Sequence, residues 1–320
     1  MLPSKDSDTF SIYVDLKDGS SINQTKEVSA CIASNLQKND NITNISVFLK
    51  EGQPLDFAAL VKQSALKDKE SQAEIIVNIK KHEDRNISSY NLVSNIRVEI
   101  QKNCSMYDAN IKFIELPAGP PVLASIVSEI YGGNSFESRR DFALKIAKIF
   151  KNQNTLVDVD ILADHDFMMY ELELDSNKAL ISNMDLEQIK NTLFLAFEGM
   201  KVSVINKNDA QNQIPIFLRL DDSRLLKNST KEDLKAKLQT LKVMNNQGIK
   251  ASISDFVTIK ESFKEPTITS KNLTPMINVI AETSKDSQIY PLLNARDEMI
   301  NSLSSEFEVT KTNMLNLSFV

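Results

Sequence analysis

Three prolines and a glycine fall within five residues, Pro117-Ala118-Gly119-Pro120-Pro121. Neither a helix nor a central strand tolerates that density. Proline has no amide proton to donate and holds φ near −65°, and each residue before a proline is pushed towards extended geometry. An apolar, extended run over residues 122–131 follows at once. The segment reads as a stiff connector that ends one compact unit and delivers the chain into the first strand of another.

Upstream of it, residues 10–16 alternate, with Phe10, Ile12, Val14 and Leu16 against Ser11, Tyr13 and Asp15, the period of a half-buried strand. Lys17-Asp18-Gly19-Ser20 is turn chemistry, and Ile22, Val28, Cys31, Ile32 and Leu36 form a helical stripe. A strand over residues 45–49 completes the pattern. The same order then repeats: a strand at 73–79, a helix capped at Ser88 or Ser89 with Leu92, Val93, Ile96 and Ile100 on one face, and a strand at 111–116. Strand–helix–strand twice in about 110 residues predicts a ferredoxin-like split βαβ unit. Residues 51–67 join the two repeats and carry Pro54, Leu55, Phe57, Leu60, Val61 and Leu66. That stretch is either a short helix laid on the core or a ligand-facing loop, since long loops on rigid scaffolds often bind.

Past the connector come a strand, a helix marked by Phe142, Ile146, Ile149 and Phe150, and a strand at 156–160. This is half a unit. Its complement is expected roughly a hundred residues later: a strand at 276–281, a helical face of Ile289, Leu292, Leu293, Met299 and Ile300, and a short strand at 307–309. The interval is an insertion with its own elements. These are a strand at 168–174, helices at 178–181, 186–197 and 234–241, an extended stretch at 253–259, and a hairpin of 201–205 with 214–220. The predicted fold class is α+β: two ferredoxin-like split βαβ subdomains, the second interrupted by an inserted α+β subdomain.

Composition narrows the function. Apolar residues make up 42% and charged residues 25%, with a net charge of −6. No basic stripe with interleaved aromatics is present, so nucleic acid is not an expected partner. With seven glycines there is no phosphate-cradling motif. His82 and His165 share no ligand spacing, so no metal site is expected of them, and no Ser/His/Asp or Cys/His set suggests catalysis. Cys31 and Cys104 both lie in helical patterns, either as small buried side chains or as a disulfide in an oxidising compartment. Asp158 and Asp160, two apart on a strand, either bind a cation or mark the strand's exposed end. No apolar run approaches the roughly 18–20 residues that span a bilayer, and no charged-then-apolar leader opens the chain.

Glu115-x-Pro117-x-Gly119-Pro120-Pro121-Val122, followed by Glu129-x-Tyr131-Gly132, resembles the junction in the second periplasmic loop of resistance–nodulation–division (RND) efflux permeases. Three later stretches match that family in order. Asp175-x-x-Lys178-Ala179 with Leu186, Ile189, Leu193 and Gly199 resembles the helix pair opening the docking subdomain. Asn183 stands there for a usual glycine and Asp185 for a frequent serine; asparagine also accepts the left-handed turn and aspartate also caps a helix. Val157-Asp158-Val159-Asp160 resembles the strand ending the first half of the second porter subdomain. Gly248, Ser254 and Phe256, then Pro266, Asn272 and Pro275, follow the family spacing, with Ser252 for a usual proline and Ser270 for a usual arginine.

The resemblance implies a first porter subdomain at 1–116, a connector at 117–121, and a second porter subdomain at 122–166 and 267–312. It further implies a docking subdomain at 167–266 and a tail at 313–320 leading to a membrane helix outside the chain. The implied setting is the periplasmic face of a bacterial inner membrane, in a proton-driven homotrimer with a periplasmic adaptor and an outer-membrane channel as partners. No cofactor and no covalent chemistry are implied. Leu55, Phe57, Leu60 and Val61 fall where such pumps carry the flexible loop between drug pockets, and are expected to touch lipophilic small molecules. Pro117, Gly119, Pro120 and Pro121 are the expected hinge, and Asn206, Lys207, Asn208 and Asp209 the expected tip of the docking hairpin. Two alternatives stand beside drug export: export of copper, silver or zinc, and a non-transporting module that only binds the adaptor. Some relatives pass copper or silver between methionines. Here the one adjacent pair, Met168-Met169, points to opposite sides of a strand, and methionine is expected as core filler.

Overall fold

Alternation along β1 (Thr9–Asp15) sets the first sheet. Phe10, Ile12 and Val14 are buried against helices, while Tyr13 and Asp15 look to the other side. The computed structural model describes residues 5–54, 57–104, 108–115, 119–120, 122–209, 213–220, 230–283 and 289–303. α1 (Ile22–Leu36) opens with a capping box between Ser21 and Gln24. β2 (Ile42–Leu49) follows, then the short α2 (Phe57–Val61) and β3 (Gln72–Ile79). α3 (Ser89–Asn103) has Ser88 at its cap position, but the cap bond comes from elsewhere: the Ser89 amide donates to Asp6 Oδ1 at 2.8 Å. With β4 (Asn110–Ile114) the strand order is β2-β3-β1-β4, every pair antiparallel. That is the ferredoxin-like arrangement expected from the repeat. Cys31 on α1 and Cys104 at the end of α3 form a disulfide, so of the two readings of the cysteines the cross-link is the one realised.

The second sheet begins with β5 (Ile126–Tyr131), later than the apolar run suggested. Just before it, the Ser125 amide and hydroxyl both donate to Glu282, so the chain there is held by a side chain instead of a ladder. α4 (Phe136–Lys151), capped by the Ser135 side chain, leads to β6 (Leu156–Leu162).

Residues 168–264 then form a compact unit of their own. In it β7 (Met168–Leu174) ends at Asp175, whose carboxylate caps α5 (Ser176–Ile181). Asn183 takes φ 54°, and Asp185 accepts from the Glu187 amide to cap α6 (Leu186–Phe197). Next come the hairpin of β8 (Met200–Ile205) and β9 (Ile214–Leu218), α7 (Lys231–Thr240), β10 (Lys242–Met244) and β11 (Lys250–Ser252). Residues 253–255 make a 3₁₀ turn where an extended stretch was expected, with Ile253 driven into the core and Asp255 bonded back to Ser252. β12 (Val257–Phe263) pairs antiparallel with β7. Ala179, Met184, Ile189, Leu238, Val243, Ile253 and Phe256 are the core of this unit.

The chain returns through β13 (Thr269–Lys271) and β14 (Thr274–Thr283) to α8 (Ile289–Leu303). β14 lies between β5 and β6 and is antiparallel to both, with Val279 opposite Ser128 on one side and Ile161 on the other. Strands from the two sides of the insertion thus share one sheet. α4 and α8 cover it, burying Ile146, Phe150, Ile277, Val279, Leu292 and Met299. The expected strand at 307–309 lies outside the described residues. Among the described residues no helix is long and apolar enough to cross a membrane.

The β13–β14 turn carries a local cost. Asn272 and Leu273 have φ of 51° and 64°, and the Leu273 side chain is 98% exposed. Asparagine accepts that left-handed geometry; leucine is penalised by about 1–2 kcal/mol and gains no burial in return. Leu273→Gly is expected to raise stability by roughly 1 kcal/mol, less the extra freedom glycine brings to the unfolded chain. A urea midpoint unchanged or lowered in that variant would show that the turn relaxes in solution.

Candidate functional site

Helices cover one face of each of the two four-stranded sheets. On the opposite faces several residues between the core positions are charged or polar: Tyr13 and Asp15 on β1, Lys112 on β4, Asp160 on β6, Glu282 on β14. These faces border a cleft of about 650 Å³ within the unit formed by residues 1–167 and 265–320.

Lys112 is central to it. Buried on β4, its ammonium lies 2.8 Å from Asp15 Oδ2 and also contacts Asp160 of the second sheet. Lys67 reaches Asp15 Oδ1 at 3.2 Å and sits 4.5 Å above the Tyr13 ring, and the Gln72 amide donates to the same Asp15 oxygen at 3.2 Å. Burial alone would raise the Asp15 carboxyl, but Lys112 and then Lys67 outweigh it and hold Asp15 far below the usual carboxylate range. For Lys67 burial wins, and its ammonium is lowered.

Two further ties bridge the sheets. Lys69 pairs with Asp18 at 3.0 Å and with Asp164 just past β6, while the Asp164 Oδ2 accepts from the Thr267 amide at 2.8 Å. Burial opposes ionisation of Asp164, yet the bonds from Lys69 and Thr267 bring its carboxyl down to about 2. Arg97 on α3 pairs with Asp158 on β6, and the Phe113 amide donates to Asp158 Oδ2 at 2.8 Å. The Asp158 side chain is only 1% exposed. Its φ is 52°, at a register shift where Ile280 faces Asp160 but Glu282 faces Val157. This bulge re-aims the side chain.

Both sequence readings of this acidic pair are therefore corrected. Asp158 and Asp160 neither mark an exposed strand end nor converge on a cation; each is held by a cationic side chain, Arg97 on α3 or Lys112 on β4. Among the described residues no cluster of three or more His, Cys, Asp or Glu side chains is arranged to hold a metal.

The comparisons bear on this geometry. The family model described as AcrB/AcrD/AcrF matches residues 1–314, nearly the whole chain. The chain belongs to the AcrB/AcrD/AcrF family. This makes it a segment of an RND permease. Two solved structures of a heavy metal efflux pump, crystal forms II and I, share its fold with TM-score 0.67 at 15% and 14% identity. Each match covers 94% of this chain but 30% of the pump's, so the chain spans less than a third of the solved permease. No curated protein sequence matches it.

Within this AcrB/AcrD/AcrF-family chain, three of the four residues expected to touch substrate fall on α2. Leu55 lies outside the described residues, Phe57 opens α2, Leu60 is exposed on α2 and Val61 closes it. Neither Leu60 nor Val61 borders the cleft; the same connection lines it a few residues later, through Lys62, Leu66 and Lys67. Asn206, Lys207, Asn208 and Asp209 are exposed and follow β8 at the hairpin turn. Of the connector, Gly119 and Pro120 form a bend, while Pro117 and Pro121 lie outside the described residues. Sequence reasoning missed the cleft's ion pairs. Polar residues at alternate strand positions were the available signal, but they look the same on a solvated face as on one facing another sheet.

Proposed function

We propose that this segment belongs to a proton-driven efflux transporter and receives the transported molecule from the periplasm, and that this molecule is lipophilic, a drug or dye. The observation that carries the reading is the cleft: its volume of about 650 Å³ suits a drug-sized ligand, and Leu16, Leu66, Ile114 and Leu123 stand among its charges. Residues 1–116 and 122–166 with 267–312 are the two porter subdomains on this reading, and 167–266 the docking subdomain. The full assembly is a trimer at the inner membrane, met by an adaptor and an outer-membrane channel. Transport is a change in the spacing of the two facing sheets, with 117–121 as the hinge.

Kinship with a heavy metal efflux pump favours a second reading, metal export. Against it, no methionine or cysteine borders the cleft among the described residues, and the buried carboxylates there face lysine or arginine.

Thermal unfolding with a panel of lipophilic dyes separates the two. A dye at a hundred times its Kd is expected to add about 2.7 kcal/mol of stability. Leu66→Ser with Ile114→Ser is expected to weaken that dye about tenfold, through the loss of apolar contact. A copper(I) titration with one tight equivalent, and no response to any dye, reverses the ranking.

A further inference from the structure

Asp158 is bound on one oxygen only. Oδ2 receives the Phe113 amide and the Arg97 guanidinium, whereas Oδ1, buried, accepts no hydrogen bond from any described residue. Its side chain borders the cleft. An ionised carboxylate left half-satisfied out of water is costly.

The charges around it do not balance. Among the described residues Arg97 from α3 is the one cation in contact. Glu282, on β14, lies near enough for its charge to raise both Asp158 and Glu115, which stands just past β4, and the charge of Asp158 raises Glu115 as well. Glu282 is itself held by Ser125 and by Lys62, which follows α2, at 3.4 Å. Asp160, two residues along β6, is taken by Lys112. Among the described residues three carboxylates therefore share two cations. We propose that Asp158, with Glu115 and Glu282 around it, is a proton-binding site: the closed cleft holds one proton on this cluster and gives it up when the two faces part.

The direction of the coupling follows from burial. Loss of water raises the Asp158 carboxyl despite Arg97, and it raises Glu115 in the same sense. Parting the faces rehydrates both groups and lowers them again. A group that holds its proton more tightly in the closed form favours closure as pH falls, by up to about tenfold in the closed-to-open ratio per pH unit for one proton. A plain salt-bridge latch at Arg97–Asp158 predicts the reverse, because acid would discharge its carboxylate and free the faces.

The proposal rests on the moving cleft, and two readouts on the full chain keep the two ideas apart. Carboxyl-carbon NMR between pH 3 and 8 is expected to show an aspartate titrating above the ordinary range of about 3.9, absent in Asp158→Asn. Asparagine tolerates the left-handed backbone at this position, so the substitution changes charge without forcing the bulge. The second readout is the distance between spin labels at Leu66→Cys and Ile268→Cys, both exposed, in a chain whose two native cysteines are bonded to each other. The short distance is expected to gain population as pH falls from 8 to 5, and Asp158→Asn is expected to remain short throughout. If no aspartate titrates above the ordinary range, or acid favours the long distance, the proton site is overturned. A high-titrating Asp158 with one fixed distance at every pH overturns the coupling and the moving cleft, leaving proton binding alone. Should Asp158→Asn fail to fold, the wild-type NMR titration, repeated with Glu115→Gln, decides by the same criteria.

Discussion

Lys112→Ala is expected to destabilise the chain by about 3–5 kcal/mol, the loss typical when one partner of a buried charge cluster is deleted. The reason lies in what stays behind. Asp15 and Asp160 face Lys112 from the two sheets, and without it both carboxylates keep their burial but lose their main counter-ion. Lys67 continues to reach Asp15 at 3.2 Å, so Asp160 suffers more. Adding Asp160→Asn and Asp15→Asn to Lys112→Met is expected to recover most of the deficit, because exchanging a whole buried ion cluster for neutral groups is often nearly neutral. Urea unfolding of the single and triple variants measures this. Equal midpoints for wild type and Lys112→Ala would mean that water already solvates the cluster.

Cys31→Ser with Cys104→Ser is expected to cost about 4 kcal/mol. The two cysteines are 73 residues apart, and a loop of that length left open adds entropy mainly to the unfolded chain. Reducing the wild-type protein should give the same shift in thermal midpoint. Because the bond joins α1 to the end of α3, its loss should leave β5, α4 and β6 with unchanged hydrogen-exchange protection. Uniform loosening across both sheets would contradict the separateness of the two helix-covered cores.

Most of the secondary structure is legible in the sequence, for a physical reason. Phe10, Ile12 and Val14 alternate because one face of β1 is greasy, and Val28, Ile32 and Leu36 repeat at helical spacing because α1 packs on that face. The bulge at Asp158 was not legible. Nothing in Val157-Asp158-Val159-Asp160 distinguishes regular alternation from a strand with one extra residue, and aspartate, unlike glycine, gives no strong signal of positive φ. Capping of α3 by Asp6 was hidden for a different reason, since the donor and acceptor are 83 residues apart. The substrate-facing positions Leu55, Phe57, Leu60 and Val61 rest on a match of position without a match of motif, and the cleft is bordered by Lys62, Leu66 and Lys67 of the same connection. Asn183 and Asp185 fared better because their roles are local: a left-handed turn and a cap each depend on neighbours within a few residues.

The two helix-covered sheets confront each other with lysines and carboxylates, and that choice shapes the thermodynamics of any excursion. Uncovering hydrocarbon raises heat capacity, while wetting ions and amides lowers it. An opening that mainly hydrates Asp15, Lys112, Asp160 and their neighbours should therefore show a small heat-capacity change, and its midpoint should drift little between cold and warm conditions.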